Sequence, residues 1–157
     1  MIINDLDHPN GTYACLVPDS NSIKQLQSLQ NMLDLSSPVL AKDLHMTVIY
    51  SRKPCPSVAE LSHGFSPING KIAKLGYLPT QHNTTCLVAE VECPDAVGMH
   101  HSICKAHGAS HDYPTYLAHI TLSYDCKMGI KELLHPLKIV FDQFKVSALD
   151  PKWQSKN

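Results

Sequence analysis

The chain has 157 residues, of which 43% are hydrophobic and 17% charged, and its formal net charge is −1. A chain of this length buries roughly two thirds of its unfolded surface, and this composition excludes a disordered or linker-dominated protein. The near-zero charge argues against long nucleic acid as the main partner, because polymer binding needs a broad basic surface, whereas a small anion is compatible with it.

Membrane, secretory and disulfide signals are missing from the sequence. No apolar run approaches the ~20 residues of a membrane span, and residues 1–11 lack the basic start and apolar stretch of a signal peptide. The six cysteines are scattered without a CxxC pair, so neither a disulfide framework nor a cysteine zinc site is indicated. We therefore expect a cytoplasmic protein with reduced thiols and no membrane partner.

The first part of the chain predicts a strand, a helix and a second strand. Residues 12–17 predict a strand, and residues 19–20 are candidate caps for a helix with apolar residues at helical spacing. That helix is expected to end before the Ser-Ser-Pro at 36–38. Residues 44–50 predict the second strand, and the proline-rich segment after it must leave the sheet, with a short helix around 58–61.

The remaining elements complete an α+β pattern. Two strands at 71–78 and 84–92 are expected to form a hairpin, and a helix is expected from Pro94 to about Ala106, ended by Gly108. The last predicted elements are a strand at 116–124, a short helix at 128–134 and a long strand at 137–147. This order predicts one α+β domain with helices packed against antiparallel sheets.

A short internal repeat carries most of the chemical information. The segment LHMTVIY at 44–50 matches AHITLSY at 118–124, with identical His, Thr and Tyr and two conservative apolar replacements. The two histidines are 74 residues apart. Each half of the chain would hold one copy, which predicts a duplication with two similar lobes in a single domain, 1–157.

The repeat places polar and apolar residues on opposite faces of each strand. Because strand side chains alternate, the His and Thr of each copy share one face. The alternation predicts that the apolar faces hold Met46, Val48 and Tyr50 in one strand and Ile120, Leu122 and Tyr124 in the other. Two such strands across a cleft would present two imidazoles and two hydroxyls to one central anion.

This constellation suits a phosphodiester. One histidine can take a proton from an attacking hydroxyl while the other gives a proton to the leaving oxygen, since an imidazole with a pKa near ~6.5 does either at neutral pH. The threonines would donate hydrogen bonds to the non-bridging oxygens. The alternatives are ordinary structural histidines, or a metal site built on His100, His101 and His107. Nothing else in the sequence completes such a site, so no metal or cofactor is predicted.

The paired motifs resemble those of the two-histidine (2H) phosphoesterase superfamily, whose bilobal α+β fold places both motifs in a central cleft. The early strand with Tyr13, the segment GASHDYPTYLAHITLSY and a tryptophan near the end of the chain resemble, more narrowly, the phage anti-CBASS phosphodiesterases. That resemblance implies destruction of cyclic di- and trinucleotide signals, which blocks the host's immune response.

The resemblance also implies roles for individual residues. The catalytic set it implies is His45, Thr47, His119 and Thr121. Tyr13 and Trp153 would contact the nucleobases, since aromatic faces stack on bases. The alternatives are that Tyr13 belongs to the core and that Trp153 lies on the surface or is disordered. Tyr113 and Tyr116 are candidates for the rim of the site, and neither is counted in it.

Two other functions compete with this one. The first is a 2′,3′-cyclic phosphodiesterase that acts on RNA ends, which the near-neutral charge disfavours. The second is a catalytically silent nucleotide-binding protein. The intact pair of histidines argues against the second function, because binding alone needs neither an acid nor a base.

Overall fold

The structure is a computed structural model that describes residues 8–80, 83–112, 115–126 and 133–150. Its strands are Thr12–Pro18 (β1), Met46–Ser51 (β2), Ile68–Pro79 (β3), Thr85–Glu92 (β4), His119–Ser123 (β5) and Leu137–Ala148 (β6). Its α-helices are Ser20–Met32 (α1) and Pro94–His107 (α2), and 3₁₀ helices span Ala41–Asp43 and Pro56–Gly64.

The six strands form one closed antiparallel sheet in the order β1-β2-β5-β4-β3-β6. β6 pairs with both β1 and β3, whereas β2 and β5 meet at a single pair, Met46 opposite Ile120. Both of these side chains are fully buried, as are Leu16, Ile72 and Phe141 on the neighbouring strands. The core therefore lies directly behind the point at which the two motif strands touch.

Local sequence explains where the helices begin and end. The Asp19 carboxylate accepts a hydrogen bond from the Ser22 backbone N–H at 2.8 Å, a cap that contributes about 1 kcal/mol to a helix. α2 begins at Pro94, whose missing N–H is not needed in a first turn, and ends at Gly108 with φ of 70°. Glycine adopts this left-handed conformation without the steric penalty that other residues incur.

The predicted elements are largely present. All strands, both long helices and the β3–β4 hairpin occur where the sequence predicts them, and the short helix expected near 58–61 is a longer 3₁₀ helix. The helix predicted at 128–134 lies outside the described residues except for 133–134, which are not helical. In the part of the chain that the structure describes, no helix is long and apolar enough to cross a membrane.

Each motif strand contains a β-bulge at the same place in the repeat. Val48 has no partner in the β1–β2 register, and Leu122 has none in the β4–β5 register. Residue 122 follows residue 48 by 74 positions, the spacing of the two motif histidines. Val48 and the following Ile49 are both buried, as are Leu122 and the following Ser123, so the alternation of faces is interrupted in both strands.

The bulges overturn one detail of the predicted alternation. Tyr50 lies directly opposite Tyr13 on β1, and the two rings meet edge to face at 6.4 Å between centroids. The Tyr13 hydroxyl lies 2.9 Å from Thr47 Oγ1, so this pair of rings is on the polar face of β2. Tyr124 likewise lines a cavity together with Tyr13. The assignment of Tyr50 and Tyr124 to the apolar face was wrong, because the bulge inserts one extra residue before each of them.

Candidate active site

The two copies of the repeat meet face to face in the structure. We call His45, Thr47, His119 and Thr121 the motif quartet. Since Met46 lies opposite Ile120 in an antiparallel pair, each histidine of the quartet lies across from the threonine of the other strand. Met46 and Ile120 point into the core with no exposed surface, so the quartet occupies the opposite face. A local two-fold axis through the Met46–Ile120 pair therefore relates the two halves of the site.

Both motif histidines make the same hydrogen bond. His45 Nδ1 donates to the Asp43 carbonyl at 2.6 Å, and His119 Nδ1 donates to the Leu117 carbonyl at 2.8 Å. In each case the acceptor is two residues earlier in the chain. Because a carbonyl oxygen only accepts, the hydrogen of each neutral ring is on Nδ1 and the lone pair is on Nε2. Nε2 is therefore the atom through which either ring exchanges protons.

The environment of His45 favours its neutral form. Burial lowers the pKa of His45, the hydrogen bond to the Asp43 carbonyl acts in the opposite direction, and the nearby charge of His119 lowers the pKa further. The net shift is downward from the ordinary value of 6.5. Near pH 7 the ring is therefore unprotonated and able to accept a proton.

Tyr13 contacts both motif residues of β2. Its hydroxyl lies 2.9 Å from Thr47 Oγ1, and its ring meets the His45 ring edge to face at 6.2 Å between centroids. Burial raises the pKa of Tyr13 well above its ordinary value, so the phenol keeps its proton near neutral pH. Tyr13 is therefore largely buried and also in direct contact with the quartet.

Buried polar side chains bind a carbonyl at each bulge, and the Leu122 carbonyl also accepts from the Val39 backbone N–H at 2.9 Å. His100 Nδ1, on α2, donates to the Val48 carbonyl at 2.7 Å, and Gln30 Nε2, on α1, donates to the Leu122 carbonyl at 3.0 Å. The His100 ring also stacks on Tyr116 at 4.3 Å between centroids. Each bulge is therefore tied to a helix behind the site.

Tyr116, which precedes the second motif in the sequence, binds the backbone of the first motif. Its hydroxyl donates to the Thr47 carbonyl at 2.7 Å. His100 and Tyr116 together hold two consecutive carbonyls of β2, those of Thr47 and Val48. The position of Thr47 therefore depends on a residue that belongs to the other half of the chain.

The histidines of α2 that were considered as metal ligands make other contacts. His100 is buried against β2 as described above, and His107 Nδ1 lies 2.9 Å from Ser57 Oγ. His101 is exposed. Within residues 8–80, 83–112, 115–126 and 133–150, no group of three or more His, Cys, Asp or Glu side chains is placed to hold a metal ion.

A cavity of about 340 Å³ opens beside His45. Tyr13 and Tyr124 provide aromatic surface in its wall, and its charged lining residues are Lys42, Lys145 and Asp43. Burial raises the pKa of Tyr124 to about 12, so its phenol is neutral. The volume is at the lower end of the ~300–1,000 Å³ typical of small-molecule sites, which is enough for part of a nucleotide ligand.

The structure brings together five of the six residues that the sequence singled out. Trp153, the sixth, lies outside the described residues. Sequence reasoning missed Tyr50 and Tyr124, although their signal was present, since this tyrosine is the third identity of the repeat. It also discounted Tyr116. Lys145 carries no local signal, because only the register of β6 against β1 brings it to the site.

Comparison with known proteins identifies the family. The family model for the anti-CBASS protein Acb1 matches residues 10–156. The chain belongs to the anti-CBASS protein Acb1 family. The Acb1 protein of Vibrio phage KVP40 is 31% identical over 147 residues, which cover 94% of this chain and 93% of that relative. The Acb1 protein of Acinetobacter phage Ac42 is 33% identical over 126 residues, which cover 80% of this chain and 79% of the phage Ac42 protein.

Solved structures share the fold of this Acb1 family member. The protein TT0787 of Thermus thermophilus superposes with a TM-score of 0.64 at 18% identity and covers 90% of both chains. Escherichia coli LigT complexed with 3′-AMP superposes with a TM-score of 0.59 at 12% identity, covering 87% of this chain and 86% of LigT. The predicted relationship to the anti-CBASS proteins is confirmed, as is the α+β fold class.

Proposed function

We propose that this Acb1 family member is a metal-independent phosphodiesterase that cleaves 3′,5′ linkages of cyclic di- or trinucleotides and thereby blocks the CBASS antiviral defence. The observation that carries the proposal is the two-fold arrangement of the quartet, in which two histidines hold the same tautomer on one polar face. An acid and a base related in this way suit transfer through one phosphate placed between them. The name of the family supports the biological role.

The quartet supports a reaction in which the substrate supplies its own nucleophile. His45 Nε2 takes the proton of the ribose 2′-hydroxyl, the 2′-oxygen forms a bond to phosphorus, and the bond from phosphorus to the 5′-oxygen breaks. His119 enters this step with an additional proton on Nε2 and gives it to the departing 5′-oxygen, and a 2′,3′-cyclic phosphate remains. Intramolecular attack supplies a large part of the reduction in barrier, because the 2′-oxygen already lies beside the phosphorus.

The structure also supports an order for the two proton transfers. The lowered pKa of His45 keeps its ring unprotonated near pH 7 and therefore available as the base at the start of the reaction, and His119 then acts as the acid. Thr47 and Thr121 donate hydrogen bonds to the non-bridging oxygens, where negative charge must be held. Tyr13, in the cavity wall, and Trp153 contact the nucleobases.

A cleavage screen tests the proposed substrate class. The purified protein is incubated in excess EDTA with cyclic dinucleotides, cyclic trinucleotides and an RNA oligonucleotide that ends in a 2′,3′-cyclic phosphate. We expect at least one ring to be linearised faster than the RNA end is opened. Cleavage of the RNA end alone would favour the RNA-end phosphodiesterase, and tight binding without product would favour a silent binding protein.

A 2′-deoxy analogue tests the internal nucleophile. The ring that is cut fastest is compared with the same ring carrying 2′-deoxyribose at the cleaved linkage, at equal concentration. We expect the analogue to bind with similar affinity and to stay intact, because the attacking oxygen is missing. Equal rates of cleavage for the two rings would contradict this mechanism and indicate attack by water.

A further inference from the structure

A row of side chains leads from the quartet to a lysine two strands away. Thr47 on β2 lies opposite Cys15 on β1, and Cys15 lies opposite Lys145 on β6. Directly opposite residues of neighbouring strands project from the same face of a sheet. The next residues along β1 and β6, Leu16 and Phe144, are also opposite each other and are buried in the core. Lys145 therefore projects from the same polar face as Thr47.

The spacing of strands determines how far Lys145 lies from the reacting centre. Neighbouring strands are about 4.8 Å apart, so the Lys145 Cα is roughly 10 Å from that of Thr47. Lys145 and Lys42 both line the cavity beside His45. The ammonium group of Lys145 thus lies beside the quartet, on the cavity side of it, and not within it.

Lys145 forms no ion pair with a described acidic side chain, although Asp43 also lines the cavity. In the described part of the chain, neither Lys145 nor Lys42 forms an ion pair, whereas Lys71 and Lys74 on β3 pair with Glu92 and Glu90. Burial raises the pKa of the Cys15 thiol, and the positive charge of Lys145 partly opposes this rise. The ammonium group is therefore close enough to Cys15 to act on it electrostatically. An exposed lysine at the mouth of a cavity is suited to an anionic ligand.

We propose that Lys145 binds an uncut phosphate of the cyclic substrate, and that Lys42 adds to the positive charge of the same cavity. This inference rests on the proposed function. A cyclic di- or trinucleotide carries at least one further phosphate while one linkage is cut, whereas a mononucleotide carries none. Lys145 therefore makes the site selective for ligands with two or more phosphates. Because it lies outside the quartet, it acts on binding and not on proton transfer.

A pair of matched variants tests the inference. Lys145→Met removes the charge and keeps an apolar stem, and Lys138→Met makes the same change at an exposed position of β6 outside the cavity lining. Both are placed in the inactive His119→Ala background. Affinity is measured by calorimetry at low salt for cyclic di-AMP, cyclic di-GMP, 3′-AMP and 3′-GMP, and kcat and KM are measured for each variant in the active background.

We expect Lys145→Met to weaken binding by about 10-fold for the ring that the wild-type protein cuts, which is the size of a charge-assisted contact. Binding of the matching mononucleotide should weaken by less than about 2-fold. KM should rise with kcat unchanged, Lys145→Arg should restore the affinity, and the difference should shrink as salt screens the charge. Lys138→Met should change neither affinity.

Three outcomes would overturn the inference. They are an unchanged affinity for the ring, an equal loss for ring and mononucleotide, and a fall in kcat without a rise in KM. Each would leave the proposed function intact if the wild-type protein still cuts the ring. If the wild-type protein neither binds nor cuts any cyclic di- or trinucleotide of the cleavage screen, the proposed function fails, and the role of Lys145 fails with it.

Discussion

At the scale of single residues, the two motif histidines share one hydrogen-bonding pattern. Each donates from Nδ1 to the carbonyl two positions upstream, which fixes the ring and leaves Nε2 for proton exchange. His100, on α2, also donates from Nδ1 to a carbonyl, but that carbonyl is far away in the chain, at Val48 of β2, and the ring is buried behind the site. The same side chain thus has a positioning role in one place and a proposed catalytic role in the other.

The first prediction concerns removal of each imidazole. His45→Ala and His119→Ala should each lower kcat by about 10²–10⁴-fold, the usual contribution of a general acid or base, with an unchanged circular dichroism spectrum. The double variant should be about as inactive as either single one, because an acid and a base of one step act as a unit. His63→Ala, at an exposed position of the second 3₁₀ helix, is the matched control and should keep full activity. Full activity of either motif variant would contradict the account.

The second prediction concerns the titration of His45. Because burial and the charge of His119 lower its pKa, the ring should titrate below 6.5 in an NMR experiment, and the acid limb of kcat/KM should lie there too. His119→Ala should raise the pKa of His45 by removing the repulsion. The value should still lie below 6.5, because burial is the larger cause. A His45 titration above 6.5 in the wild-type protein would contradict the assignment of His45 as the base.

At the scale of elements, the site depends on two bulges and on the helices that bind them. The carbonyl of Val48 is held by His100 of α2, and that of Leu122 by Gln30 of α1. A bulge turns its strand and changes which side chains face the site. The third prediction concerns the more buried of these anchors, His100.

Replacement of His100 should destabilise the fold. His100→Ala removes the donor to a buried carbonyl, which costs about 1–3 kcal/mol in the free energy of unfolding, and adds the cost of a cavity. His100→Asn keeps a donor near the position of Nδ1 and should lose less. His101→Ala, an exposed neighbour on the same helix, should change stability by less than about 0.5 kcal/mol. Urea unfolding measures all three, and equal stabilities for His100→Ala and His101→Ala would contradict this role.

The burial of His100 also makes the stability of the fold depend on pH. Burial lowers the pKa of His100, as it does that of His45, and the charges of His111 and His101 lower it further. Below the unfolded value of 6.5, the unfolded chain therefore binds more protons than the folded one. Stability should be complete above about pH 6.5 and should fall as pH decreases through the folded pKa values. His100→Asn should flatten this dependence, and an unchanged pH profile would contradict the assignment.

Most elements were predictable from sequence, and the bulges were not. The strands around the two motifs, the capped helix after Asp19 and the helix between Pro94 and Gly108 have clear local signals. A bulge depends on how one strand pairs with another, so the placement of Tyr50 and Tyr124 on the polar face could not be derived from alternation alone. For the same reason Lys145, which reaches the site through the β1–β6 register, was not predictable.

At the scale of the whole molecule, one closed sheet contains both copies of the repeat. β2 meets β5 at the site, and strands from the two halves of the chain also pair elsewhere, β1 with β6 and β3 with β4 and β6. The repeat predicts two similar lobes in one domain, and we expect these lobes to unfold together, since each contributes strands to the same closed sheet. Calorimetric and van't Hoff enthalpies of unfolding should therefore agree. Two resolved transitions would contradict the single-domain prediction.

The central claim is that His45 and His119 cleave a cyclic oligonucleotide by proton transfer alone. Its most direct test is mass spectrometry of products after wild-type protein, freed of metal and kept in excess EDTA, is incubated with the best ribose ring of the screen. We predict a linear product that ends in a 2′,3′-cyclic phosphate or in the phosphate formed when this is opened. Its rate of formation should equal that without EDTA, and should fall by about 10²–10⁴-fold with His45→Ala or His119→Ala. An intact ring in EDTA, with cleavage restored by zinc or manganese, would contradict the claim.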